Sequence, residues 1–445
     1  MKTVRVGIVG FGTVGRATAE IMEAHRREIA VRCGAQLRVN WICNRSPIPL
    51  SAIPVGAQIQ GDWRILVASP EVDIVVETIG GTGVAGEVVR AALLHGKPVV
   101  TANKALLAGH GQELLQLACE RDLPLGFEAA VAGGIPVIRS IEQGTSGDRI
   151  VAVRGILNGT SNYILTRMEA DGEDFETALL EAQNSGYAEQ DPDADVDGRD
   201  ARDKLAILAR LAFGGYVSPQ AVSVIGIRKV RPVDFLYARR LHSVIRLIAS
   251  AELCGGKLAA SVGPWLIPDR SMLAGVEGVN NAVLVVGERS GTQMFYGRGA
   301  GGDATAVAVL SDLMEIASDL ALGKLQAKAT AGLRDGTEVL MCQEPPPVPW
   351  YLRLLIRDQP GVLARVATAL AAHQINIDCV LQEPGLPKSA LPFVITVEPV
   401  SEPLLMSAVA DINQDPALVE PVVLLRMQPS DYGQVNVDQR RRGER

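Results

Sequence analysis

The chain has 445 residues, too many for one hydrophobic core, and domains of roughly 100–200 residues predict two to four of them. Hydrophobic residues make up 47% of it and charged residues 21%, a globular composition. The net charge of −7 argues against nucleic acid as a partner, and the basic end Arg440-Arg441-Arg442 is too short to reverse that.

Six scattered cysteines without a Cys-x-x-Cys pair indicate neither a zinc site nor a disulfide framework and fit a reducing compartment. The N-terminus runs straight into a strand without the separate regions of a signal peptide. No apolar run reaches the roughly 18 residues of a membrane span. A cytoplasmic protein without membrane contact is expected.

Val4 to Val9 reads as a buried parallel strand, followed directly by Gly10-Phe11-Gly12-Thr13-Val14-Gly15 and a helix to about His25. A G-x-G-x-x-G turn between strand and helix is the dinucleotide-binding pattern: Gly10 for the tight turn, Gly12 for approach of a pyrophosphate, Gly15 for helix packing. The next strand, Leu37 to Cys43, ends in Asn44-Arg45-Ser46 rather than the acidic residue of an NAD-preferring site. Arg45 suits a 2′-phosphate, so NADP is favoured with NAD still possible, while a solvent-facing loop arginine fits the same position. Val72 to Glu77 leads to Thr78 and a glycine-rich edge suited to the nicotinamide ribose. Lys97 to Val100 leads to Lys104, on the ligand side of an α/β sheet. Leu125 to Val131 reads as the last strand of this region.

From about Ser140 the pattern becomes α+β. Ile150 to Leu157 is a strand, and a helix then starts near Asn158, with Thr160 or Ser161 placed to cap it. Seven acids, Glu189, Asp191, Asp193, Asp195, Asp197, Asp200 and Asp203, fall within fifteen residues before Lys204, which opens the apolar run KLAILARLAF. A solvated loop before a capped helix explains such charge; so does a loop that aims carboxylates at an amine, with a proton donor on the next helix. Ala221 to Lys257 reads as further helix, and Asn281 to Val286 and Gln293 to Tyr296 as strands. A second glycine loop, Gly297 to Thr305, precedes a helix over Ala306 to Leu320, which suggests a return to the dinucleotide domain. Glu344 to Pro349 reads as a stiff proline spacer. Beyond it the order strand, helix, strand, strand, helix, strand is ferredoxin-like.

The succession Ala182, Gly186-Tyr187-Ala188, Asp191-Pro192, Asp195-Val196, Gly198, Asp200 and Lys204 resembles the signature of homoserine dehydrogenases, and Asp358-Gln359-Pro360-Gly361-Val362-Leu363 resembles the first turn of ACT domains. The resemblance implies an α/β chain with a Rossmann-type domain over residues 1–139, completed by the helix around 303–322. A catalytic domain over 140–302, an ACT domain over 349–428 and a disordered tail over 429–445 follow. It implies reversible reduction of L-aspartate 4-semialdehyde to L-homoserine with NADP(H), in threonine, methionine and isoleucine biosynthesis. Lys204 gives the proton and Asp200 lies near the reacting oxygen. Glu189, Asp195, Lys104, Thr160, Gly186 and Tyr187 line the substrate, Lys104 lying between it and the cofactor, and Gly301 joins Lys104 among the cofactor contacts, although Asp303-Ala304 stands where relatives often have proline before the threonine. The resemblance further implies a sodium ion on Glu128, Val131, Gly133 and Ile135, mostly through backbone carbonyls; a plain strand-to-helix turn fits those residues equally well. L-threonine at the ACT domain, feedback inhibition and a homodimer or homotetramer complete the expectation. Because the lysine must be neutral to act as a base, homoserine oxidation is expected to have an alkaline optimum. One rival is an aldehyde-oxidising dehydrogenase, which needs an activated cysteine thiolate. Another is a catalytically inactive sensor of dinucleotide and amino acid.

Overall fold

The structure is a computed structural model and describes residues 1–327 and 339–429; all of the expected tail except Pro429 lies outside them. Two compact units are present. The first comprises residues 1–153, 202–222 and 281–339, and the second 154–201, 223–280 and 340–445.

The first unit is built on a parallel sheet of β1 (Lys2–Val9), β2 (Ala35–Cys43), β3 (Gln58–Gln60), β4 (Ile74–Glu77), β5 (Val99–Thr101) and β6 (Leu125–Gly126) in the order β3-β2-β1-β4-β5-β6. Burial on both faces explains why the ends of β1, Val6 to Val9, and of β4, Ile74 to Val76, read as continuous rather than alternating apolar runs. The helix Gly302–Leu322 returns to this sheet and buries Val309, Leu313 and Ala317 with Ile8, Ile42 and Val76 in one core. The expected strand Leu125 to Val131 stops at Gly126. Phe127 leaves the strand, and Glu128–Ala130 forms a single 3-10 turn.

In the second unit the strands run Ser243–Cys254, Lys257–Pro268, Val423–Met427, Val348–Ile356, Leu391–Val400, Ile377–Gln382 across the sheet. The expectation of helix over Ala221 to Lys257 fails: only Pro232–Arg240 is helical, and Ser243–Cys254 is a strand paired antiparallel with Lys257–Pro268. Buried residues run consecutively from Ile245 to Ala251, so the period-2 signal of a strand is absent there.

The C-terminal βαββαβ module appears as expected, with helices Val362–Ala372 and Glu402–Ile412 on its sheet and Leu352, Leu370, Ile395 and Leu405 in its core. It is not held off by a spacer. Val348 and Pro349 already lie in a strand, and Val423–Met427 pairs in parallel with Lys257–Pro268 through Trp265 opposite Arg426. The module's sheet therefore continues the sheet of the catalytic region. Among the described residues no helix is long and apolar enough to cross a membrane.

Candidate active site

In the first unit the chain turns sharply after β1 at Gly10, whose φ is +98°. Gly10 N donates to Cys43 O and Thr78 N to Val9 O, both at 2.9 Å. A Cβ on Gly10 would stand 2.6 Å from the Thr78 carbonyl carbon, and one on Gly15 would stand 2.2 Å from Gly10 O. Neither position tolerates a side chain. Gly12 is different: nothing lies within 4 Å of where its Cβ would be, and as N-cap of the helix Thr13–Ala24 it offers no side-chain cap. The first-turn N–H groups of a helix have no intrahelical acceptor, and at a start without a side-chain cap they suit a pyrophosphate.

Around this turn the side chains brace one another. Thr78 Oγ1 donates to Gly10 O at 2.6 Å. Phe11 N donates to Asn44 Oδ1 at 2.9 Å and Asn44 Nδ2 to Ser46 O at 2.9 Å, which fixes the loop bearing the exposed Arg45 against the glycine turn. Glu77 is fully buried; its Oε1 accepts from Ile79 N at 2.7 Å and its Oε2 from Thr101 Oγ1 at 2.6 Å, so it shapes the edge rather than facing a ligand. Gly301, with φ +119°, caps the helix Gly302–Leu322, and a Cβ on Gly302 would meet Thr13 Cγ2 at 2.9 Å. The two glycine turns thus abut. Lys104, exposed, is the first residue of the helix Lys104–Glu120, whose N-cap Asn103 accepts from Leu106 N at 3.1 Å.

The segment Glu128 to Ile135 is strained where a cation would sit: Ala132 has φ +56° and Gly133 +50°. A Cβ on Gly133 would stand 2.6 Å from Gly299 O. Burial pushes the Glu128 carboxyl up, and its two oxygens accept from Ile138 N at 2.9 Å and Arg139 N at 2.8 Å. What Glu128 has left for an ion is its main-chain carbonyl, alongside those of Val131, Gly133 and Ile135.

In the second unit the helix Gly159–Asp171 is capped by Asn158, which accepts from Ser161 N at 2.8 Å; the cap is neither Thr160 nor Ser161. Asn158 Nδ2 donates to Asp195 Oδ1 at 2.6 Å and to Asp200 Oδ2 at 2.8 Å. One carboxamide therefore gathers two carboxylates, and Ser161 Oγ donates to Asp195 O at 2.9 Å. Sequence reasoning missed this role of Asn158; a polar residue at the end of an otherwise fully buried strand was the available signal. Thr160 Oγ1 donates to Tyr187 O at 2.7 Å, and Tyr187 packs on Tyr163 with ring centroids 4.9 Å apart. Gly186, with φ +74°, makes the turn that lets Tyr187 N reach Ala182 O at 2.8 Å. Glu189 is exposed, and its carbonyl accepts from Gln183 Nε2 at 3.1 Å.

The acidic stretch is not one loop. Asp193–Val196 is a helical turn, and the following helix runs Arg199–Phe213, starting five residues before Lys204. Asp200 and Lys204 are one turn apart on its face, both buried. Of the cysteines, Cys33 and Cys43 are buried, and burial raises the Cys43 thiol above its ordinary value, the opposite of what an activated thiolate needs.

Comparison with known proteins places the chain in a family. The family model for homoserine dehydrogenase matches residues 136–314, that for the homoserine dehydrogenase NAD-binding domain residues 10–128, and that for the ACT domain residues 350–419. A homoserine dehydrogenase of Neisseria gonorrhoeae is 37% identical over 432 residues, covering 96% of this chain and 99% of the relative. The chain belongs to the homoserine dehydrogenase family. A homoserine dehydrogenase structure from Thiobacillus denitrificans matches with a TM-score of 0.89 at 36% identity, covering 96% of this chain and 99% of that one. A hyperthermophilic archaeal homoserine dehydrogenase, solved in complex with NADPH, matches at TM-score 0.60 and 31% identity over 70% of this chain and 97% of that one. Homoserine dehydrogenases are oxidoreductases, and the family's NAD-binding domain coincides with the cradle built on Gly10 to Gly15.

Proposed function

We propose that the chain transfers hydride reversibly between NADP(H) and the aldehyde carbon of L-aspartate 4-semialdehyde, giving L-homoserine. The observation that carries this reading is the Asn158 clasp on Asp195 and Asp200, one helical turn ahead of Lys204. The bound dinucleotide supplies the hydride. As the new C–H bond forms, the carbonyl oxygen gains negative charge, and the Lys204 ammonium gives it a proton. In the reverse direction the neutral amine takes that proton back, which favours alkaline conditions. Asp200 stands next along the helix and orients the lysine. Asp195 and Glu189 hold the polar groups of the amino-acid end, with Thr160, Gly186, Tyr187 and Lys104 as further substrate contacts.

For the cofactor, Gly10 to Gly15 and Gly301 receive the pyrophosphate region, Thr78 the nicotinamide ribose, and Arg45 the 2′-phosphate. A sodium ion would be held by the main-chain carbonyls of Glu128, Val131, Gly133 and Ile135, around the left-handed backbone of Ala132 and Gly133. L-Threonine binds the ACT domain between paired modules and lowers activity, which requires that it favour one of two arrangements of the enzyme.

The test is steady NADPH formation from L-homoserine and NADP, followed by absorbance. Turnover supports the dehydrogenase reading. Tight NADP binding without turnover refutes it in favour of a ligand sensor. Inhibition of the full-length protein by millimolar threonine tests the regulatory part separately.

A further inference from the structure

The carboxyl ends of the central strands carry a buried acid to which the proposed reaction gives no part. Glu77 closes β4 in register with Val9 of β1 and Thr101 of β5. The strand order reverses between β1 and β4, and ligands of open α/β sheets gather beyond the strand ends at such a point. Glu77 and Thr101 are both 0% exposed. Two residues past Glu77 the surface opens: Ile79, Gly80 and Gly81 are exposed, and nothing lies within 4 Å of where a Cβ on either glycine would be.

Among the described residues this carboxylate meets neutral donors. Oε1 accepts from Ile79 N at 2.7 Å and from Gly80 N at 3.3 Å, and Oε2 accepts from Thr101 Oγ1 at 2.6 Å. Thr101 Oγ1 in turn accepts from Asn103 N at 3.1 Å, and Asn103 Nδ2 donates to Gly81 O at 2.7 Å. The circuit closes on itself and fixes the glycine edge over the carboxylate. Its dipoles stabilise the negative charge without cancelling it. A charge held out of water acts more strongly at a distance than one in solvent. Lys104 brings a positive charge to the neighbouring turn, but it is exposed and screened.

A nicotinamide ring is neutral when reduced and positive when oxidised, a difference to which such a charge responds. Hydride departure to the aldehyde carbon leaves one positive charge on the ring, while the substrate oxygen takes its proton from Lys204. We propose that the buried Glu77 carboxylate sets the redox preference of the dinucleotide site, favouring the oxidised ring over the reduced one. The same field favours the positive charge that develops as hydride leaves. The inference rests on the proposed seating of the nicotinamide ribose at Thr78, the residue after Glu77.

The experiment is calorimetric titration of the full-length protein with NADP and with NADPH at one pH and one salt concentration, read as the ratio of the two dissociation constants. Glu77→Gln removes the charge, keeps an acceptor for Ile79 N and offers an NH2 from which the Thr101 hydroxyl accepts. It is expected to weaken NADP about fivefold or more beyond any weakening of NADPH. Thr101→Val breaks the circuit and keeps the charge, and whatever it does to the two affinities, their ratio is expected to stay within about twofold. Ile79→Asp, at a position 42% exposed, adds a carboxylate to the same edge and keeps the proposal testable if Glu77→Gln does not fold. It is expected to move the ratio about twofold toward NADP. The proposal is overturned if Glu77→Gln weakens both forms alike, if Thr101→Val shifts the ratio as far as Glu77→Gln does, or if Ile79→Asp leaves it unmoved. Both constants are read without substrate, so an enzyme that binds both forms but does not turn over homoserine would defeat the proposed reaction and leave this test intact.

Discussion

Arg353→Met is the sharpest test of how the C-terminal module is held. Arg353 is 2% exposed and its partner Asp234, on the helix Pro232–Arg240, is 0% exposed. Arg353 Nη1 donates to Asp234 Oδ2 and Nη2 to Lys229 O at 3.0 Å. Tyr351 OH donates to Asp234 Oδ1 at 2.7 Å and Arg231 N to Oδ2 at 2.8 Å. Methionine fills the space but leaves a buried carboxylate with two neutral donors and no countercharge, a change that costs about 3–5 kcal/mol. Asp234→Asn combined with Arg353→Met removes the stranded charge; the carboxamide oxygen accepts from Arg231 N, and the Tyr351 hydroxyl turns to accept from the new NH2. The double variant is expected to lose only about 1–2 kcal/mol. Burial already pushes the Asp234 carboxyl up against the pull of Arg353, and losing Arg353 raises it further. A raised carboxyl contributes stability below the unfolded value of about 3.9, and that contribution is lost as pH rises through the folded value. The Arg353→Met deficit is therefore smallest in acid and largest at neutral pH. Urea unfolding followed by Trp265 and Trp350 emission at several pH values measures it. A single-variant loss below about 1 kcal/mol at neutral pH, or a double variant as unstable as the sum of the singles, refutes the reasoning.

Lys204→Ala is expected to lower kcat by about 10²–10⁴-fold while NADPH binding persists; more than a tenth of wild-type kcat would rule out its role as proton donor. Arg45→Ala is expected to weaken NADPH by about 1.5–3 kcal/mol and NADH far less, and equal losses in a binding titration would show that Arg45 does not read the 2′-phosphate. Gly15→Ala places a methyl 2.2 Å from Gly10 O and is expected to abolish dinucleotide binding, as measured by NADPH fluorescence. Ending the chain after Glu344 strips Lys257–Pro268 of its partner strand and Asp234 of Arg353 and Tyr351. The expected result is a melting temperature well below that of Arg353→Met, and a shortened enzyme that melts like the whole one would show that the module is a detachable appendage.

Much of the fold was legible because local rules and tertiary context agree. The glycine turn after β1 is dictated by backbone space at Gly10 and Gly15, and the C-terminal helices and strands carry clean periodicity. Where one face pattern vanished, the reading failed: Ser243–Cys254 is buried along most of its length, so its apolar run gave no period to separate strand from helix. The proline run misled for another reason. Pro349 enters its strand at the register shift between Val348 and Trp350, one of the few places in a sheet that needs no N–H from that residue. In the candidate site, Asp195, Asp200 and Lys204 stood out by their spacing along one short stretch. Their partner Asn158 lies 37 and 42 positions away from the two acids, and Asp234 lies 119 from Arg353. Nothing local records such pairings.

The proposed threonine regulation requires a physical connection between the module and the acidic cluster, and hydrogen-bonded pairings of this kind run from one to the other. A ligand shifts an equilibrium only through contacts that differ between two states, so the module needs something to move. Val423–Met427 is paired with Lys257–Pro268. On that strand Val262 O accepts from Ile225 N at 2.8 Å, and two residues on Ile227 N donates to Val196 O at 2.9 Å. Arg228 Nε donates to Asp197 at 2.7 Å. The segment from Ser223 to Arg231 thus touches the helical turn that carries Asp195 at one end. At the other it is gripped by the module, through Lys229 O on Arg353 and Arg231 on Glu420 at 2.6 Å. A Cβ on Gly226 would stand 2.6 Å from Val196 O, so the segment lies against that turn at a distance only glycine allows. A rotation of the module about its shared strand would therefore reach the turn that carries Asp195 through this segment. A double-mutant cycle between Arg353→Met and Arg228→Gln, read in the proposed threonine inhibition, measures this coupling: about 0.5–2 kcal/mol is expected of connected residues, and strict additivity would show that the segment carries no signal.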